Sequence, residues 1–92
     1  MEPIDLDDAQ LPHISGQHTH IRLNGRVFRL RSTRASIWEI TETLGSIVIG
    51  HGHLHATDTT YQIVTPTGRG PKHPRWQHVV REHLTVRKDL KR

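Results

Sequence analysis

Polar and apolar positions alternate most regularly between residues 18 and 31, HTHIRLNGRVFRLR. Asn24-Gly25 at its centre is a favoured pair for a two-residue type I′ turn, which needs positive φ at both positions. A hairpin closed there sets Leu23 against Arg26, Ile21 against Phe28 and Thr19 against Leu30 on one side. On the other side Arg22 meets Val27, His20 meets Arg29 and His18 meets Arg31. The ribbon therefore has an apolar floor of Ile21, Leu23, Phe28 and Leu30. Its opposite face carries His18, His20, Arg22, Arg29 and Arg31. Like charges directly across a ribbon repel, so that face costs stability unless an anion or acidic neighbours offset it.

The rest of the chain is less regular. Residues 32–44 fit a strand with Trp38 and Ile40 pointing inward. They also fit a helix, with a Ser36–Glu39 capping box and Gly45 as its stop. The short, β-branched composition favours the strand. The unbroken Ile47-Val48-Ile49 run reads as a buried strand, and Gly50 and Gly52 after it permit a bulge. A turn over residues 57–60 leads to a strand over 60–65, and the two strands pair as a hairpin. Residues 66–74 read as a loop rich in proline and glycine. Pro74 suits the first turn of a helix running to about Lys88, with Trp76, Val79, Val80, His83 and Leu84 at helical spacing.

These elements predict a small α+β domain: an antiparallel sheet of four to five strands with one C-terminal helix packed on one face. Residues 1–16 are expected to form a flexible acidic N-terminal tail, 17–88 the single domain and 89–92 a basic C-terminal end. The expected core is Ile21, Leu23, Phe28, Leu30, Trp38, Ile40, Ile47, Val48, Ile49, Ile63, Trp76, Val80 and Leu84. At the level of fold alone, the arrangement is similar to the sheet-plus-helix arm-site DNA-binding domains of tyrosine integrases, with no shared motif.

Composition narrows the function classes. A chain of 92 residues makes one domain with a thin stability margin. It has no cysteine, which excludes disulfide scaffolds, thiol catalysis and cysteine-ligated zinc. No stretch approaches the roughly 20 apolar residues of a membrane helix, so a membrane partner is not expected. A reducing cytoplasm is the simplest setting.

Charge then points to a partner. Glu2, Asp5, Asp7 and Asp8 give residues 1–17 a net −4, whereas residues 18–92 hold all 13 lysines and arginines against five acids and reach +8. A small domain with that charge attracts polyanions, of which nucleic acid is the commonest in a cell. Nine histidines should add positive charge as the pH falls below neutrality. The expected function is therefore non-catalytic nucleic-acid binding, with DNA favoured slightly over RNA because few aromatics offer stacking platforms. His18, His20, Arg22, Arg29 and Arg31 would contact phosphates. Arg69, Lys72 and Arg75 in the glycine-rich loop before the helix would add to them. An inhibitor or adaptor that binds an acidic protein surface is the alternative without nucleic acid, and an exposed edge strand leaves a homodimer open.

Three histidines alternate at His51, His53 and His55, and on one strand face they would bind Zn²⁺ or another divalent transition metal. Gly45, His51-Gly52-His53 and Asp58 resemble the first motif of the cupins, G(X)5HXH(X)3,4E. The resemblance covers about a quarter of the chain and implies a metal-binding β-barrel. The chain departs from it in having Asp in place of Glu, a late Gly68 and no second motif. A further alternative is a small ribonuclease working by general acid–base chemistry, with His18, His20, His53, His55 and Tyr61 as candidates. No spacing among them identifies a base and an acid.

Overall fold

The computed structural model describes residues 3–86. The 18–31 hairpin forms in the register read from its alternation, as β2 (His18–Leu23) and β3 (Arg26–Arg34). Asn24 at φ 54° and Gly25 at φ 79° supply the two left-handed positions of its turn. The strand alternative holds for the ambiguous segment, which forms β4 (Ile37–Leu44) with Trp38 and Ile40 buried. β5 (Ile47–Ala56) and β6 (Tyr61–Thr65) pair as a hairpin.

Two short strands were not foreseen and correct the fold class. β1 (Ile4–Asp5) joins one edge, parallel to β2, and β7 (Gly68–Arg69) joins the other. The sheet is therefore seven-stranded and mixed, in the order β1 to β7, rather than antiparallel with four to five strands. Each edge strand is two residues long, too short for a period of two to show in the sequence. One helix, α1 (Trp76–Val86), packs on the sheet through Trp76, Val79, Val80 and Leu84. It starts two residues after Pro74, and its basic continuation at Arg87 and Lys88, with the end at 89–92, lies outside the described residues.

Within residues 3–16, expected as part of a tail, several side chains pack into the domain. Leu6, in a 3-10 turn over Leu6–Asp8, is buried with Ala9 and Leu11 in the same core as the sheet and helix. The segment is anchored by Trp38 Nε1, which donates to the Pro12 carbonyl at 2.6 Å. Gly16 and Gln17 then exchange backbone hydrogen bonds with Ser32 at 2.8 and 2.9 Å. Acidic residues conceal this role, because Leu6 lies among Asp5, Asp7 and Asp8 with no regular spacing.

The reading of residues 47–49 is also overturned. Ile47 and Val48 are 63% and 62% exposed, and Ile49 is half-buried. β5 is ten residues long but β6 covers only His53–Ala56, so the β4–β5 hairpin projects past its neighbour. The core apolar residue on β5 is Leu54, opposite Trp38 and Ile63.

A break in the β4–β5 register between Glu39 and Thr41 separates these two halves of β5. Gly52, at φ 109°, lies at the break. A side chain there would also meet Thr65 Cγ2 at 3.0 Å and the Val64 carbonyl at 3.1 Å. Both the backbone angle and the space require glycine.

Candidate functional site

The face of the sheet away from the core carries the cations, because β2 and β3 bury their alternate residues. His20 lies opposite Arg29 and His18 opposite Arg31, and each row continues across the sheet. Arg29 is followed by Thr41 and Gly50. Arg31 is followed by Glu39, His53, Val64 and Arg69. The second row crosses from β2 to β7, five strand spacings or about 24 Å. That is the axial length of about seven base pairs.

The five cationic groups read on the hairpin's open face are unequally engaged. Arg22 donates to Asp5 at 3.1 Å, an ion pair created by the parallel docking of β1. Arg31 sits 3.5 Å from Glu39, its cross-strand neighbour. Both pairs are solvent-exposed, so each contributes little and can yield to a stronger anion. The chain's own carboxylates thus cover two of the three arginines on this face. Those carboxylates lie outside the hairpin sequence, so its alternation could not reveal them.

Arg29 differs. It makes no ion pair among the described residues, and its Nε is buried without a hydrogen-bond partner. Directly across the ladder, His20 Nδ1 is buried and unpartnered as well. The His18 ring stands edge-on to His20, with centroids 5.0 Å apart. Burial, then the His18 and Arg29 charges, hold the His20 pKa below its ordinary value. His55 is lowered in the same way, by burial, His53 and Arg69. Unmet buried donors carry a desolvation cost, and an oxygen-rich anion would remove it.

The loop cations divide. Arg69 joins the open face through its pairing with Val64, opposite His53. Arg75 instead lines a shallow cleft of about 420 Å³ with Asp7, His73, Gln77, His78 and Arg81. There the His73 and His78 rings stack at 3.9 Å, the Arg75 backbone N–H donates to His73 Nδ1 at 3.0 Å, and Arg81 pairs with Asp7 at 2.9 Å. Lys72 is exposed in the loop between β7 and α1. Arg75 and Lys72 thus do not join the hairpin cations in one site.

The three alternating histidines do not converge either. The register break turns His51 into the interior while His53 stays exposed. His51 Nε2 lies 3.0 Å from Glu42 Oε1, and its ring meets Phe28 edge-on. Glu42 also accepts two hydrogen bonds from Arg26, at 2.6 and 2.9 Å, and Arg26 lies over the Phe28 ring. Among the described residues no group of three His, Asp or Glu side chains is placed to hold a metal. Neither the metal reading nor the cupin resemblance finds its geometry here, since the open seven-stranded sheet is no closed barrel. Tyr61 packs against the core, so it does not join His18, His20, His53 and His55.

Sequence reasoning missed the Arg26–Glu42–His51 cluster because the three residues come from three strands. The pairing of Leu23 with Arg26 was a signal that an arginine lay on the apolar side and would need an acid. Among the described residues no helix is long and apolar enough to cross a membrane. Compared with known protein families, curated proteins and solved structures, the chain matches none.

Proposed function

We propose that the protein binds nucleic acid through phosphate oxygens, on the open sheet face built from His18, His20, Arg22, Arg29, Arg31, His53 and Arg69. The observation that carries this reading is the cross-strand Arg29–His20 pair, in which each residue has a buried nitrogen without a hydrogen-bond partner. A phosphate oxygen accepts from a guanidinium Nε–H and from an imidazole N–H. Arg31 and Arg22 exchange their surface carboxylates for phosphate as the strand is engaged. DNA is preferred slightly over RNA, because this face has no aromatic residue except imidazoles on which unpaired bases can stack.

One observation favours a second reading, an acidic protein surface as partner. The chain's own Asp5 and Asp7 already sit on Arg22 and Arg81, as an acidic partner's side chains would. A single set of titrations separates the two. Fluorescence anisotropy with duplex DNA, single-stranded DNA, structured RNA and a polyglutamate peptide is measured from 25 to 200 mM salt, concentrations chosen to span a steep region of counterion release. Nucleic-acid binding through about three to four phosphates predicts a log–log slope of about −3 and tighter retention than of polyglutamate. A slope near zero, or no binding at the lowest salt, overturns the reading. Preference for polyglutamate replaces it with the acidic-protein reading.

A further inference from the structure

The projecting β4–β5 hairpin tip has no role in the anion face. In a two-residue hairpin the residues flanking the turn form the hydrogen-bonded pair, here Leu44 and Ile47. Thr43 and Val48 are then a non-hydrogen-bonded pair, so the Val48 N–H and C=O point away from β4. The same holds for Gly50, two residues on. Among the described residues no strand pairs with this edge before His53, and no other hydrogen bond reaches residues 46–50. The edge ends at His51, whose carbonyl lies 2.7 Å from His83 Nε2 on α1.

This open edge lacks the features that keep edges apart. Residues 43–50, TLGSIVIG, contain no charge and no proline. Leu44, Ile47 and Val48 are each more than half exposed. The tip is also self-complementary. Ile47-Val48-Ile49 reads the same in both directions, so a two-fold axis through Val48 sets Val48 against Val48 and Ile47 against Ile49. The axis also sets Gly50 against Ser46, and neither side chain is large enough to clash.

We infer that the protein forms a homodimer by antiparallel pairing of β5 edges, centred on Val48, which joins the two sheets into one. The occupant is a second copy because the exposed sequence matches itself in a register that sets the outward main-chain groups of Val48 against those of Val48 in the second copy. The patch is small, at the low end of interface size, so the dimer is weak, with a dissociation constant on the order of 10–100 µM. It rests on apolar contact and main-chain hydrogen bonds and does not weaken with salt, unlike polyanion binding.

Sedimentation equilibrium from 10 to 500 µM, a range set by that affinity, is the test. The full chain is expected to shift from monomer to dimer, and Val48→Lys to remain a monomer throughout the range because like charges meet on the axis. Ile14→Lys, at a residue exposed elsewhere, should dimerise as the parent does. A second readout does not depend on a destabilising substitution. Val48→Cys, in a chain without other cysteines, should be cross-linked by a short bismaleimide, and Val27→Cys should not. A parent that is monomeric throughout the range overturns the inference. So does equal cross-linking at both positions, or dimerisation that survives Val48→Lys.

Discussion

Glu42 shows how one buried carboxylate is made stable by its partners. Its side chain is 3% exposed, and the Arg26 hydrogen bonds, followed by His51, hold its pKa down to about 2 against an ordinary 4.5. A carboxylate lowered on folding contributes stability above its unfolded pKa and loses it as the pH falls through the folded one. The shift corresponds to about 3 kcal/mol. Urea denaturation should show that contribution intact above about pH 5 and lost progressively between about pH 4.5 and 2. In Glu42→Gln the acid-dependent loss in this window should be smaller, and stability at pH 7 should fall by about 2–4 kcal/mol because Arg26 and His51 lose their charge partner. His20 carries the opposite charge, but its pKa is also lowered on folding, so its pH dependence has the same sign at a higher pH. Its lowered pKa means that protonation opposes folding, so this group favours the folded state least once the pH is below its folded value and most above 6.5. A bound phosphate reverses the bias. ¹H–¹⁵N NMR titration of the ring should show the His20 pKa rising when an oligonucleotide is added, with binding tightening as the pH falls below 6.5.

At the scale of elements, two glycines do different work. Gly25 needs only its left-handed φ of 79° and open space surrounds it, so Gly25→Ala should cost about 1 kcal/mol. Gly52 needs its angle and also the close approach of β6, so Gly52→Ala should cost more, about 2–4 kcal/mol. Thermal or urea unfolding of the two variants checks the order. The contrast also shows where the sequence was legible. The Asn24-Gly25 turn is local, and the hairpin register followed from it residue by residue. The bulge at Gly52 is set by strands on both sides, and the alternation of His51, His53 and His55 gave no sign that His51 would turn inward. Ile47-Val48-Ile49 misled for the same reason. Burial depends on a covering strand, and β6 stops short of them.

For the whole molecule, the acidic N-terminal segment is both core and counter-charge. Leu6 is 2% exposed against the sheet and helix, so Leu6→Ala should lower stability by about 2–4 kcal/mol, which denaturant titration would show. Asp5→Asn leaves the core intact and frees Arg22, so it should raise affinity for an oligonucleotide several-fold at low salt and little at high salt. The charge asymmetry of the chain was plain in its sequence, but the parallel strand that lays one acid on the basic face was not. The whole polyanion account turns on Arg29. Its direct test is Arg29→Gln, measured in parallel for unfolding free energy and for oligonucleotide affinity at low salt. The account predicts stability unchanged or slightly raised, because a buried unpartnered group is relieved, and affinity reduced at least about tenfold. Unchanged affinity in a folded Arg29→Gln protein would contradict it.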